Sequence, residues 1–132
     1  MNINQAIIYG RLTKAPELKQ AGSHTVCNLS IATNRKYTDQ QGNKKEETEY
    51  HNAVAWGKQA ETIAQYTAKG HTIYIEGRVK TDEWQDKEGN KRYTTRIIVE
   101  KFQFGDGNPK KEEKPKEDEI ERIKNSTQED IL

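Results

Sequence analysis

Thr48-Glu49-Tyr50-His51-Asn52-Ala53-Val54-Ala55-Trp56, then Gly57, then Lys58-Gln59-Ala60-Glu61-Thr62-Ile63-Ala64 is the stretch on which the fold turns. Its first part has the two-residue period of a strand. Tyr50, Asn52, Val54 and Trp56 share one face, and His51, Ala53 and Ala55 share the other. The small alanines suit the inside of a narrow barrel, which leaves Tyr50 and Trp56 pointing outward. The pattern then changes to helical spacing over residues 58–68, with Ala60, Ile63, Ala64 and Thr67 on one side and Gly70 just past the end.

Strands are expected on both sides of this unit. Residues 72–80 alternate, with Ile73, Ile75, Gly77 and Val79 on one face and Tyr74, Glu76, Arg78 and Lys80 on the other. Residues 25–33 do the same through Cys27, Leu29 and Ile31. Residues 3–13 form an opening strand that breaks at Ala15-Pro16. Residues 92–104 are long and rich in β-branched side chains, which favour a final strand. Asp39-Gln40-Gln41-Gly42-Asn43 and Lys87-Glu88-Gly89-Asn90 read as Gly-centred loops. The order is three strands, a helix and two strands. That order predicts an all-β domain with one helix, a five-stranded OB-fold Greek-key barrel; SH3-like barrels, the five-stranded alternative, usually lack such a helix.

The chain has 132 residues, enough for one domain and an appendage. Its 22 basic and 21 acidic residues are unevenly distributed. Residues 1–105 carry 16 basic and 12 acidic side chains, a net +4, whereas residues 106–132 carry a net −3. A mildly basic body suits a polyanion binder. Past Gly105 the composition becomes charge-mixed and nearly devoid of apolar groups, so residues 106–132 are expected to form a disordered tail. Within it, residues 117–124 could form a transient helix. The single Cys27 excludes an internal disulfide, and no apolar run nears the ~20 residues that span a bilayer. The opening residues lack a secretory pattern. An intracellular, cytoplasmic protein is the expectation.

Catalytic motifs do not emerge. There is no Gly-x-x-x-x-Gly-Lys-Ser/Thr loop and no Gly-x-Ser-x-Gly turn. His24, His51 and His71 are far apart, and none has a second ligand at metal-site spacing. Glu46, Glu47 and Glu49 read as strand-edge charges rather than a metal cluster. The stronger signal is aromatic and basic. Trp84 sits among Asp82, Glu83, Gln85 and Asp86 in an apparent loop, and Tyr37 directly follows Arg35-Lys36. Both read as aromatics in charged loops, which suit base stacking, because every base has a π-face. Arg11, Arg35, Lys36, Lys58, Arg78, Lys80, Lys91, Arg92 and Arg96 are the candidate phosphate contacts.

Several motifs in order resemble the bacterial and phage single-stranded DNA-binding protein family, from Ile3 to Phe104. Ile8-Tyr9-Gly10-Arg11-Leu12 with Pro16-Glu17-Leu18 is similar to its opening. Leu29-Ser30-Ile31-Ala32-Thr33 is similar to its second strand. The most specific block is Thr48-Glu49-Tyr50-His51 with Trp56-Gly57-Lys58 and Ala60-Glu61. Lys69-Gly70, Tyr74-Ile75-Glu76-Gly77-Arg78, Trp84, Asp86, Gly89 and Tyr93-Thr94-Thr95 complete the match. The resemblance implies a cofactor-free coat for single strands in replication, recombination and repair. It implies that Tyr37, Tyr50, Trp56 and Trp84 stack on bases, with Tyr50 standing where many members carry Trp. It also implies a homotetramer with His51 near a subunit contact. Family tails end in acids followed by Ile-Pro-Phe. Here Glu129, Asp130, Ile131 and Leu132 keep the acids and Ile but lack the Pro and Phe, so they form a divergent candidate tip for docking replication or repair proteins. The alternatives are a specialised nucleic-acid OB protein, of primosome or RNA-binding type, and a nuclease on a barrel scaffold.

Overall fold

The computed structural model describes residues 1–106. The expected tail helix at 117–124 and the tip Glu129 to Leu132 lie outside the described residues. The elements are β1 (Ala6–Leu12), β2 (Glu17–Ala21), β3 (His24–Thr38), β4 (Lys44–Trp56), α1 (Lys58–Tyr66), β5 (Thr72–Gln85) and β6 (Lys91–Phe104). Five of the strands close on themselves. β1 pairs antiparallel with β5, β5 with β6, and β3 with β4, while β4 and β6 meet in parallel through Ala53–Ile97 and Val54–Ile98. Arg11 and Leu12 of β1 pair with Ala32 and Ile31 of β3 and complete the ring. The barrel and the helix between its third and fourth barrel strands are as expected.

The short strand β2 was not anticipated. It forms a hairpin with β3, from Glu17–Asn28 to Ala21–His24, and lies outside the ring as an edge. Its sequence, ELKQA, is mostly exposed and carries almost no hydrophobic alternation, so no period marks it. The helix is also shorter than its pattern suggested and ends at Tyr66. Thr67 is already extended, and its hydroxyl donates 2.6 Å back to the Ile63 carbonyl to close the last turn.

The barrel interior is one apolar cluster. Leu12, Cys27, Leu29, Ile31, Ala53, Ala55, Ile73, Ile75, Ile97 and Val99 contribute from the walls. Ala60 and Ile63 of α1 close one end, so the helix is needed to keep water from the core. Each fully buried Ile or Leu contributes roughly 1.5–3 kcal/mol. Ala53 and Ala55 are small because three walls converge on β4, where it pairs with both β3 and β6. Gly77 shows how tight the wall is: a Cβ there would lie 1.9 Å from the Ile98 carbonyl oxygen. The ladder shifts register at Glu76/Gly77, where Glu100 of β6 is the extra residue between Val99 and Lys101, and this bulge bends β6 around the barrel. Burial, and secondarily Glu17, pushes the Cys27 thiol up to about 12, so the thiolate form is suppressed.

Two hairpins continue past the barrel as arms. The β3–β4 ladder runs unbroken from Val26–Trp56 to Thr38–Lys44, and the β5–β6 ladder runs to Gln85–Lys91. This corrects the loop assignments of Tyr37 and Trp84: both are strand residues. Outside the barrel both faces of a strand meet water, so the hydrophobic period disappears while backbone pairing persists. The tips share one construction. Asp39 Oδ1 accepts the backbone N–H of Gln41 at 2.9 Å and of Asn43 at 2.8 Å. Asp86 Oδ1 accepts those of Glu88 and Asn90, each at 2.9 Å. Gly42 and Gly89 both take φ of 83°, which a side chain would strain.

Candidate nucleic-acid interface

Register decides which side chains share a face. In β4, Tyr50, Asn52, Val54 and Trp56 lie opposite Ala32, Ser30, Asn28 and Val26 of β3. Val54 lies beside Ile98 of β6, which lies opposite Arg78 of β5. Directly paired residues point to the same side of a sheet. The outer wall therefore runs continuously from Trp56 and Tyr50, across Val54 and Ile98, to Arg78, Lys80, Asp82 and Trp84. Val26, Val54 and Ile98 form a second, small buried cluster on this outer side. That cluster gives the wall a rigid floor, and it explains why Val54 shares a face with exposed aromatics.

The aromatics on this face are open. Tyr50 is 68% exposed, Trp84 49% and Trp56 41%. Trp56 is restrained edge-on by His24, with ring centroids 6.0 Å apart and an interplanar angle of 77°. The Trp84 indole Nε1–H donates to Thr94 Oγ1 at 2.9 Å, which sets its plane while leaving the ring accessible. Tyr37 departs from the group. Its pairing with Lys45 places it on the other face of the first arm from Tyr50, together with Arg35, whose guanidinium lies 5.3 Å from the Tyr37 ring centroid. Tyr37, Lys36, Lys44, Lys45, Thr38 and Glu46 line a concavity of about 490 Å³ at the arm's end.

The candidate cations divide by their state. On the second arm, Lys91 pairs with Glu83 at 3.6 Å and Arg92 with Asp86 at 3.1 Å. Lys80 and Arg96 share Asp82 at 3.9 and 3.0 Å, and Arg78 meets Glu100 at 3.6 Å. On the first arm Arg35 pairs with Glu47 at 3.0 Å. Lys36, Lys44, Lys45 and Lys58 have no ion pair among the described residues. Arg11 instead donates to the Gly70 carbonyl, and its position on β1 sets it apart from the second arm. The Asp86 carboxyl is held below its ordinary value, first by the Asn90 backbone N–H and then by Arg92.

His51 faces the barrel interior side of β4, half-buried, and exchanges a 2.8 Å hydrogen bond with Thr33 Oγ1. With Ala6, Ile8, Val79 and Ile97 it lines a cavity of about 360 Å³ near the barrel wall. Sequence reasoning missed His24, Lys44, Lys45 and the 65%-exposed Tyr93. Tyr93 lies opposite Glu83, on the face of the second arm away from Trp84. Recognising that both arms are strands would have exposed Lys44, Lys45 and Tyr93, because their cross-strand partners follow by counting from the tips, whereas His24 lies at the start of β3 beside the unanticipated strand β2.

Comparison with known proteins decides the relationship. A model of the single-strand binding protein family matches residues 3–105. The chain belongs to that family. A single-stranded DNA-binding protein 1 of Chlorobaculum tepidum is 41% identical over 104 residues, 77% of this chain and 64% of the relative. A single-stranded DNA-binding protein of Clostridium perfringens is 41% identical over 106 residues, 79% of this chain and 67% of the relative. The chain thus spans about two thirds of the length of these relatives. Among solved structures, an SSB of Plasmodium falciparum in complex with ssDNA matches with a TM-score of 0.74 and 26% identity, over 80% of this chain and 97% of that one. A deletion mutant of the single-stranded DNA binding protein from Thermus aquaticus matches with a TM-score of 0.70 and 28% identity, over 80% and 52%. These likenesses cover the barrel, so the resemblance read from the motifs and the five-stranded architecture both hold.

Proposed function

We propose that this protein binds and coats single-stranded DNA without strong sequence preference, in replication, recombination and repair. The observation that carries the reading is the continuous outer wall on which Tyr50, Trp56 and Trp84 lie exposed beside Arg78, Lys80, Arg92 and Arg96. Stacking is worth roughly 1–3 kcal/mol per base and is tolerant of base identity. Cations beside the rings accept phosphates and add salt dependence. The match to a family structure solved with ssDNA supports the same ligand. Named relatives are binding proteins, so we read the chain as a binding module that works without a cofactor. Titration with oligo-dT should quench tryptophan fluorescence, and the affinity should fall as salt rises. Equal or tighter binding to blunt duplex DNA would refute the reading, and a preference for oligo-rU would move the ligand to RNA.

The proposal includes a homotetramer. Two features support assembly. Among the described residues β1 meets β3 only at Arg11 and Leu12, which leaves the edge of its earlier residues without a strand partner there. Ile7 and Tyr9 are also exposed on the outer face of β1, opposite Glu76 and Tyr74 of β5. An exposed apolar face beside an open edge suits a second copy. Docking of replication or repair proteins through Glu129, Asp130, Ile131 and Leu132 belongs to the same proposal, on the chemistry of acids beside aliphatics.

A further inference from the structure

Lys80 and Arg96 lie directly opposite each other across the β5–β6 ladder of the second arm. Like charges in that relation destabilise a strand pair. Asp82, two residues beyond Lys80 on the same face, answers both. Its Oδ2 lies 3.0 Å from Arg96 Nη2 and its Oδ1 lies 3.9 Å from Lys80 Nζ. One carboxylate thus spends each oxygen on a different cation. The hold is incomplete, because Arg96 Nε is buried with no hydrogen-bond partner among the described residues. The first arm differs: Lys36, Lys44 and Lys45 have no ion pair among the described residues, beside Tyr37.

We propose that Asp82 is a built-in stand-in for phosphate, which offsets one of the two positive charges at the centre of the second arm until a nucleic-acid strand displaces it. This rests on the outer wall being the single-stranded DNA face. A phosphodiester between Tyr50 and Trp84 carries the same negative charge and more acceptor geometry than one carboxylate, so it competes for Lys80 and Arg96 directly. The consequence is twofold. The free arm keeps its opposed cations without strain, and the strand is held less tightly than those cations alone would hold it. The coat therefore stays removable. The unpaired lysines of the first arm can engage phosphates without displacing any carboxylate.

The test is the Asp82→Asn substitution in the full chain, titrated with oligo-dT over a range of salt. Asn keeps the shape and removes the charge. At low salt the variant should bind about 2- to 5-fold tighter, the scale of releasing exposed ion pairs. Its salt dependence should also be steeper. Phosphates that displace a carboxylate release few counterions, whereas phosphates that meet free cations release them. The slope of log affinity against log salt should become more negative by about 0.7 to 1.4, for one or two cations on a single strand. Glu61→Gln, on α1 at the closed end of the barrel, adds the same net charge away from the arm and should leave the slope unchanged. Unchanged affinity or slope in Asp82→Asn, a gain matched by Glu61→Gln, or weaker binding overturns the proposal. Failure of the unaltered chain to bind oligo-dT would instead overturn the function on which it rests.

Discussion

Trp56 and Trp84 each combine a fixed ring plane with an open ring face. His24 meets Trp56 edge-on, and the Thr94 hydroxyl holds the Trp84 indole N–H. A side chain restrained before binding loses less entropy when a base stacks on it. Each ring is also exposed by more than two fifths, so the fold does not depend on burying it. Trp56→Ala and Trp84→Ala should each weaken oligo-dT binding by about 1–3 kcal/mol while the far-ultraviolet circular dichroism is kept. Loss of the β spectrum in Trp56→Ala would assign that ring to the barrel wall, through its cross-strand neighbour Val26, rather than to the ligand.

At the level of elements, the two arms repeat one design. Each places an aromatic directly opposite a cation, Tyr37 opposite Lys45 and Trp84 opposite Arg92. Each places an aspartate two residues beyond the aromatic to hold the tip. Each tip is therefore held by one carboxylate oxygen collecting two backbone N–H groups. For Asp86 the sign follows from its lowered pKa. The unfolded carboxyl takes up a proton near its ordinary value of 3.8, and the folded one does so lower. The tip's stabilisation is complete above the ordinary value and is lost as pH falls through the depressed folded value. Proton NMR should show the Glu88 and Asn90 amide resonances titrating with a midpoint below 3.8. A midpoint at or above that value would mean the carboxylate does not organise the tip.

Across the whole molecule, the proposed assembly centres on β1 and the proposed ligand on β4, β6 and β5, and the two meet at the cavity that His51 and Ile8 line with Tyr50 and Arg96. Tyr50, Trp56 and Trp84 lie on the wall built from β4, β6 and β5, whereas Ile7 and Tyr9 lie on β1. His51 lines the cavity with Ala6 and Ile8 of β1, on the side where that strand's edge is open. A lysine there would place a charge in a half-buried, largely apolar site and would lose the Thr33 hydrogen bond. His51→Lys should shift sedimentation toward smaller species than the unaltered chain forms. A monomer for the unaltered chain at micromolar concentration would refute the tetramer.

The strands of the barrel and the capping helix were legible in the sequence because one side of each is buried. Burial imposes a period, as in Cys27-Asn28-Leu29-Ser30-Ile31 and in Ala53-Val54-Ala55. The outward direction of Tyr50 and Trp56 followed from the same count. β2 and both arms were not legible as strands, since water on both faces removes any selection for alternation, and backbone pairing leaves no mark on composition. Trp84 and Tyr37 were therefore recognised as exposed aromatics but assigned to loops. Lys80 and Asp82 share a face by spacing along β5, but only register brings Arg96 to the same carboxylate. Asp82 serves two cations because the β5–β6 ladder sets Lys80 opposite Arg96. Residue spacing along one strand determines its faces, but only the pairing of strands determines what each face meets.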